Sequence, residues 1–341
     1  MLVQRTVDAW IPIRTGSQDE PPIRARSHLQ TTKFLQALPA ILPRIVPEVT
    51  HSVVDAEAPP PEILQYLSRN SRFIQSRLFQ VIHISADVSY EDEGQAVEAD
   101  NAEDEAMFQS AITAHYLSTA VRLAFQFSEL ASPGCIWAAE GVTVVGDQLT
   151  SEIEEKHFIS ELNGDDDFLG TWPSLIDIPI ADVIDWVVAS NMLASAFAET
   201  RIQRTFAAFT HVVGQSMSRE GETLFRAMQG LEAFYCDGVG DLRRQLAEKV
   251  RLWLGPSAAK TNIVGHLYDL RSQYIHGSGK LQYWRGFRDA ETEDAQTVER
   301  LSDGVAFAVR LLVASLQKCV TTHSTDIQWT FSGTTTTWKP G

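Results

Sequence analysis

The stretch HLYDLRSQYIHG, His266 to Gly277, decides how this chain is interpreted. Its apolar residues recur at spacings of three and four, as on one face of a helix, and Gly277 supplies a stop signal. Arg271 and His276 therefore lie at the C-terminal end of a predicted helix. One is a permanent cation, and the other can exchange a proton near neutral pH.

The spacing of these two residues is not specific by itself. Among the pairs separated by four to six residues are Arg77 and His83, Arg204 and His211, and Arg271 and His276. About two such pairs are expected by chance at this composition. The first pair lies in an alternating, strand-like run and the second inside a long predicted helix. Only the third ends a helix at a glycine.

Composition indicates an ordinary soluble globular protein. Of 341 residues, 44% are hydrophobic and 21% are charged, which suits two domains with real cores. No run approaches 18 apolar residues, so we expect no membrane association. The three cysteines are scattered, which favours a reducing cytoplasm over a disulfide framework. We expect no cofactor and no metal, because no His, Cys and Asp cluster has ligand spacing.

Charge is distributed unevenly along the chain. The net charge of -16 argues against a nucleic-acid binder, but residues 87–105 alone hold nine acidic side chains. Residues 201–290 hold 13 Lys plus Arg against eight Asp plus Glu. A mildly basic C-terminal half suits a surface that handles phosphates. Ordinary scatter of charge explains the same numbers equally well.

The helical pattern is nearly continuous after residue 179. We predict a mainly α fold, in which an up-and-down helical bundle at 179–322 follows an α+β domain at 1–178. Residues 323–341 are predicted as a C-terminal tail, either a strand or a loose end. The role of the N-terminal domain is open, and a sensor or regulator is one interpretation.

Residues from about 200 to 320 resemble the HEPN superfamily, specifically the Apea-like HEPN domain. The matching stretches are LEAF at 231–234, LRRQLA at 242–247, RLWLG at 251–255 and LYDLRSQYIHG at 267–277. The resemblance implies a helical bundle that forms a homodimer. It also implies a metal-independent endoribonuclease, often a toxin or an antiviral defence protein that answers to a regulatory partner or a phage-derived trigger.

The same resemblance maps the catalytic Arg and His of that family onto Arg271 and His276. Ser272 stands where the family often has Asn, Asp or His, and it would support the site more weakly. Ser278 replaces the tyrosine found in some HEPN toxins, so regulation by tyrosine modification is not supported. Across the bundle, Glu232 is a candidate to orient Arg271.

The chemistry of RNA cleavage fits these residue types. Attack by a 2′-hydroxyl needs a base, an acid for the leaving oxygen and a cation for the charged phosphorane. Side chains five residues apart point about 140° apart on an ideal helix, so convergence needs an unwound helix end or a second subunit. The loop that follows contains candidate RNA-binding residues: Lys280, Tyr283, Trp284, Arg285, Phe287 and Arg288.

Two other interpretations remain open. A non-catalytic HEPN bundle would serve as a dimerisation or adaptor module, with His276 as a helix cap and Arg271 in an ion pair with Asp269 or Glu232. A metalloenzyme is the third interpretation, and an activity abolished by EDTA would favour it.

Overall fold

A computed structural model describes residues 2–14, 21–70, 79–91, 102–153, 172–214, 220–238, 240–257, 262–278, 293–332 and 335–340. Nine helices and seven strands lie within these residues. The helices are α1 (Pro21–Ile45), α2 (Pro61–Asn70), α3 (Ala102–Ala131), α4 (Ile180–Ala189), α5 (Arg201–Val213), α6 (Glu220–Tyr235), α7 (Leu242–Leu254), α8 (Ile263–Ile275) and α9 (Glu293–Thr321). The strands are β1 (Leu2–Arg14), β2 (Val49–Asp55), β3 (Phe79–Glu91), β4 (Gly141–Val145), β5 (Gln148–Ile153), β6 (Ile327–Ser332) and β7 (Thr335–Pro340).

The chain divides into two compact units, and the division falls inside α4. Unit 1 comprises Met1–Phe158 with Pro179–Ile184, and unit 2 comprises Ile159–Ile178 with Asp185–Gly341. The described residues 172–178 belong to unit 2 because side chains of α9 hold their backbone. Arg310 Nε donates to the Pro173 carbonyl at 2.9 Å, and Gln317 contacts both the N–H and the C=O of Ile176.

Unit 1 is built on an antiparallel sheet with the strand order β2-β3-β1-β4-β5. One face of β3 is buried at alternate residues from Ile82 to Tyr90, as the period of two requires. Helices α1 and α3 supply further core side chains and meet at Phe34 and Phe125, whose ring centroids are 4.9 Å apart. This unit is therefore an α+β assembly with a conventional apolar core.

The opposite face of this sheet carries a smaller core. Trp10 of β1 and Val142 of β4 pack there with Ile63 and Leu67 of α2. His83 of β3 is the register partner of Trp10 and lies on the same face. The second face is thus part apolar and part polar, which is how an antiparallel sheet positions polar side chains beside a core.

Unit 2 packs helices α5 to α9 around large apolar side chains. Its fully buried residues include Phe209, Phe234, Tyr235 and Trp253. Gly230 of α6 marks a close helix approach, because a Cβ there would lie 2.9 Å from Leu312 Cδ1 and 3.0 Å from Ala208 Cβ. A side chain at residue 230 would therefore push α5 and α9 away from α6.

Unit 2 also includes residues 323–341, which the sequence predicted to be a C-terminal tail. Strands β6 and β7 pair as an antiparallel hairpin. Trp329 of β6 contacts the rings of Phe234, Tyr235 and Trp253, and its indole N–H donates to the Phe234 carbonyl at 2.7 Å. The hairpin is thereby fixed to the helical core.

The expected mainly α fold with a β part is confirmed, whereas some element boundaries were wrong. The polar sequence of residues 16–27, with its two prolines, favours a loop, but α1 begins at Pro21, a residue type favoured in the first helical turn. The helix then continues through Pro39 and Pro43. Burial of Leu38, Ile41 and Leu42 offsets the hydrogen bonds that those prolines cannot donate.

One described segment, Glu299–Thr321 of α9, is long and apolar enough to cross a membrane, with a mean hydropathy of 1.4. However, 78% of that window is buried inside the structure. Such burial is typical of the core helix of a soluble protein, because a membrane-spanning helix would present its apolar surface to lipid.

Candidate functional site

Helix α8 begins five residues later than its sequence suggested. By residue type Ser257 is a plausible N-cap for this helix, but the cap is Asn262, whose side-chain oxygen accepts the Gly265 N–H at 3.0 Å. Both residue types are good caps, so the sequence alone did not separate them. The helix ends as predicted beside Gly277, which adopts the left-handed region at φ +66° and so favours glycine.

Two glycines let α8 approach its neighbours closely. A Cβ on Gly221 of α6 would lie 2.0 Å from the ring of Tyr274, and one on Gly304 of α9 would lie 2.2 Å from Leu270 Cδ2. Tyr274 and Leu270 therefore occupy space that a side chain on either partner helix would fill. The position of the last two turns of α8 depends on these contacts.

Arg271 lies half-buried against Glu232 of α6. Its Nη2 is 3.4 Å from each carboxylate oxygen of Glu232, and each side chain is about one-fifth exposed. These distances are long for a charge-assisted hydrogen bond, and one nitrogen facing two oxygens is not the paired fork of a strong Arg–carboxylate contact. Burial raises the pKa of Glu232, and the charge of Arg271 opposes that rise.

The guanidinium of Arg271 keeps unused donors. Its Nε and Glu232 Oε1 are buried and have no hydrogen-bond partner among the described residues. The Tyr268 ring lies one turn earlier, 5.7 Å from the guanidinium carbon. Asp269 instead pairs with Arg243 at 2.8 Å on the exposed surface. Among the described residues, Arg271 is thus held in place while its Nε donor has no partner.

His276 caps α8 with its backbone and exposes its side chain. Its N–H donates to the Ser272 carbonyl at 3.0 Å, so the helix stays regular up to this residue. Within the described part of the chain, the imidazole makes no hydrogen bond. Ser272 is half-buried, and Ser278 Oγ lies 3.5 Å from the Gln273 carbonyl. Helix regularity keeps the side chains of Arg271 and His276 about 140° apart.

The predicted RNA-binding residues lie outside the described residues. This applies to Lys280, Tyr283, Trp284, Arg285, Phe287 and Arg288. Residues 92–101 of the acidic stretch 87–105 lie outside them as well.

A partly buried ionic cluster in unit 2 has no spacing motif in the sequence that predicts it. Asp237, just after α6, contacts both Arg201 of α5 and Lys249 of α7. Burial lowers the pKa of Lys249 to about 8, and the charge of Arg201 adds to this effect. Burial raises the pKa of the neighbouring Cys236 to about 11, so its thiol stays protonated and unreactive at neutral pH. Because the cluster links three helices, we interpret it as structural.

A second missed cluster lies on the partly polar face of the sheet in unit 1. His83 is 9% exposed and lies between Asp8 and Asp55, with Glu57 nearby. The residues are up to 75 positions apart, so no spacing motif could have identified them. Only the antiparallel registers of β1, β2 and β3 bring them together.

Comparison with protein-family models, with curated proteins and with solved structures gives no match for this chain. Arguments about function therefore rest on the geometry of its own residues.

Proposed function

We propose that this protein is a metal-independent endoribonuclease of the HEPN type, active as a homodimer, with Arg271 and His276 as catalytic residues. The observation that carries the proposal is the end of α8. There an anchored arginine with unused donors and an exposed histidine lie five residues apart, beside a helix break.

Arg271 would bind the scissile phosphate. Its guanidinium is held near Glu232 and Tyr268, so little side-chain entropy is lost on binding. The buried Nε donor gains a partner when a phosphate oxygen arrives. As negative charge grows on the phosphorane, an arginine that is already positioned stabilises it without reorganisation.

His276 would move the protons. One imidazole takes the proton of the 2′-hydroxyl, and O2′ attacks phosphorus. The P–O5′ bond breaks, and a protonated imidazole gives its proton to O5′. The products are a 2′,3′-cyclic phosphate and a 5′-hydroxyl.

A dimer resolves the divergence of the two side chains. Because α8 is regular through His276, one chain does not converge Arg271 and His276 on a single phosphate. A two-fold axis near the ends of two α8 helices would bring two arginines and two histidines into one cleft. Ser272 would support the site, and the basic and aromatic residues of 280–288 would hold RNA. A cytoplasmic toxin or defence role with a regulatory trigger belongs to the same proposal.

Cleavage of a labelled mixed-sequence RNA in excess EDTA tests the proposal. Wild type should produce 2′,3′-cyclic ends, whereas Arg271→Ala and His276→Ala should not. Matched controls are His266→Ala, an exposed histidine of the same helix, and Arg243→Ala, an exposed arginine paired with Asp269. Equal cleavage by all variants would assign the activity to a contaminant or another site and would overturn the proposal.

A non-catalytic HEPN adaptor is the second candidate. It is favoured by the His276 imidazole, which no described side chain orients, and by Ser272 in place of a stronger hydrogen-bonding residue. A wild-type dimer that binds RNA or a partner protein without cutting RNA in any of these assays would support the adaptor.

A further inference from the structure

Three strands of unit 1 bring one histidine and three carboxylates together. His83 Nε2 lies 3.0 Å from Asp8 Oδ1, and His83 Nδ1 lies 3.2 Å from Asp55 Oδ1 and 3.7 Å from Glu57 Oε2. The ligand atoms of Asp55, Glu57 and His83 are all within 4.8 Å of one another. Such a group of three ligand atoms could hold one metal ion.

The imidazole of His83 is fixed in orientation. It stacks on Trp10 at a centroid distance of 4.2 Å and an interplanar angle of 17°. Only 9% of the residue is exposed, whereas the side chains of Asp55 and Glu57 are 43% and 68% exposed. The ring therefore presents Nδ1 to two carboxylates that solvent, and a dissolved ion, can reach.

The hydrogen bond on the far side of the ring selects the tautomer. An ionised carboxylate only accepts hydrogen bonds, so Asp8 Oδ1 accepts a hydrogen bond from a protonated Nε2. In the neutral ring, the Nδ1 lone pair then faces the oxygens of Asp55 and Glu57. Three electron-rich atoms in mutual proximity repel one another unless a positive charge lies between them.

A proton on Nδ1 offsets the repulsion among these three atoms less well than a metal ion does. A proton on Nδ1 points in one direction and serves Asp55, while Glu57 at 3.7 Å is beyond hydrogen-bond range. Within the described residues, the ion pairs of Asp8, Asp55 and Glu57 all go to His83. A protonated ring therefore leaves the cluster with a net charge of about -2, whereas a divalent cation bound to the neutral ring leaves about -1.

We propose that His83 Nδ1 and the carboxylates of Asp55 and Glu57 bind a divalent transition-metal cation. Asp8 is a positioning residue, in the carboxylate–histidine–metal arrangement that fixes a ligand ring. Tetrahedral ligands at Zn²⁺ distances are about 3.4 Å apart, close to the 3.2 and 3.7 Å observed. A nitrogen ligand selects against Mg²⁺ and Ca²⁺, which prefer oxygen alone.

The Asx-type contact between two of these residues explains why they converge. The backbone N–H of Glu57 donates to Asp55 Oδ1 at 3.0 Å, which curls the chain as it leaves β2. Three protein ligands leave at least one coordination position for water or a small anion. This inference concerns unit 1 and does not rest on the proposed ribonuclease activity.

Calorimetric titration of the EDTA-stripped full chain with ZnCl₂ tests the site. Wild type should bind one Zn²⁺, and Asp55→Asn and Glu57→Gln should each weaken binding by at least about tenfold, with Asp8→Asn losing about 10- to 100-fold. The matched control is Asp87→Asn, on the same sheet face but bonded to Thr6. Its affinity should equal that of wild type.

Two results would overturn the assignment. One is the absence of saturable one-to-one Zn²⁺ binding to wild type. The other is an unchanged affinity in Glu57→Gln, whose exposed side chain makes that variant the safest for folding. Binding of Mg²⁺ as tight as that of Zn²⁺ would contradict the role of the His83 nitrogen.

Discussion

Two histidines, one in each unit, have contrasting surroundings. His83 is buried in unit 1, with both ring nitrogens next to carboxylates and a tryptophan against its face. His276 of unit 2 is exposed, and its partner in the proposal, Arg271, is the residue that is held. An imidazole with a fixed orientation, such as that of His83, suits a metal ligand. An exposed imidazole, such as that of His276, suits a group that exchanges protons with a substrate.

The largest expected effect tests the free histidine. His276→Ala and Arg271→Ala should each lower the rate of RNA cleavage by about 10²- to 10⁴-fold, the usual contribution of a proton-transfer or charge-stabilising group. Because His276 is exposed, its substitution should change the free energy of unfolding by no more than about 0.5 kcal/mol. Single-turnover cleavage and thermal denaturation of the same samples measure both. Loss of activity together with a large loss of stability would contradict the exposed, catalytic role.

Metal binding tests the fixed histidine. Zn²⁺ at 100 times its Kd should stabilise the unit that contains His83 by about 2.7 kcal/mol, since it binds the folded state. Scanning calorimetry with ZnCl₂ and with EDTA should show this shift in wild type and not in Glu57→Gln. RNA cleavage should be the same in both solutions. A cleavage rate that follows Zn²⁺ would break the separation between the two sites.

A smaller effect concerns the packing of α8 against α6. Gly221→Ala should destabilise unit 2 by about 1 kcal/mol, because strain against Tyr274 exceeds the gain in helix propensity of about 1 kcal/mol. The double variant with Tyr274→Ala should not show this added cost, since the ring has gone. Urea denaturation of the four proteins in this double-mutant cycle measures the coupling. Strict additivity would contradict the close approach of α6 and α8.

The smallest effect is a pH dependence at Glu232. Its pKa is raised in the folded state, mainly by burial, so the folded carboxyl keeps its proton above pH 4.5, where the unfolded one has lost it. Stability from this group is therefore present at low pH and is lost as pH rises through the raised value. Relative to the Glu232→Gln variant, the free energy of unfolding of wild type should fall by less than about 1 kcal/mol between pH 4 and pH 7. The thermal midpoints of the two proteins are compared at intervals of half a pH unit. A difference that is the same at every pH would show that Glu232 is not desolvated.

The sequence predicted the helix that carries Arg271 and His276, because helical periodicity and a terminal glycine are local signals. It also named Glu232, and the structure brings that side chain to Arg271 at 3.4 Å. The ends of elements were less predictable. Asn262 and Ser257 are both good caps, so residue type alone did not predict which of them begins α8.

The cluster around His83 could not be predicted because strand register is not a local property. A shift of one residue between β1 and β3 would turn His83 to the opposite face of the sheet and separate it from Asp8. In the sequence, His83 appeared only as one member of a chance Arg–His pair. The close packing of α8 at Gly221 and Gly304 could likewise not be predicted, because a glycine in a helical sequence does not indicate which side chain packs against it.

The pairing of β1 with β3 also bears on the order in which the protein folds. It joins Leu2 to Glu91 and continues to Arg14 and Phe79, so the chain must close a long loop before the strands meet. Helices α5 and α6 of unit 2 are neighbours in the chain and pack against each other, and such local contacts form faster. Asp8 and His83 come together only when that loop closes. The proposed metal site therefore forms only after this loop closes, and a metal ion cannot act there as a template before that step.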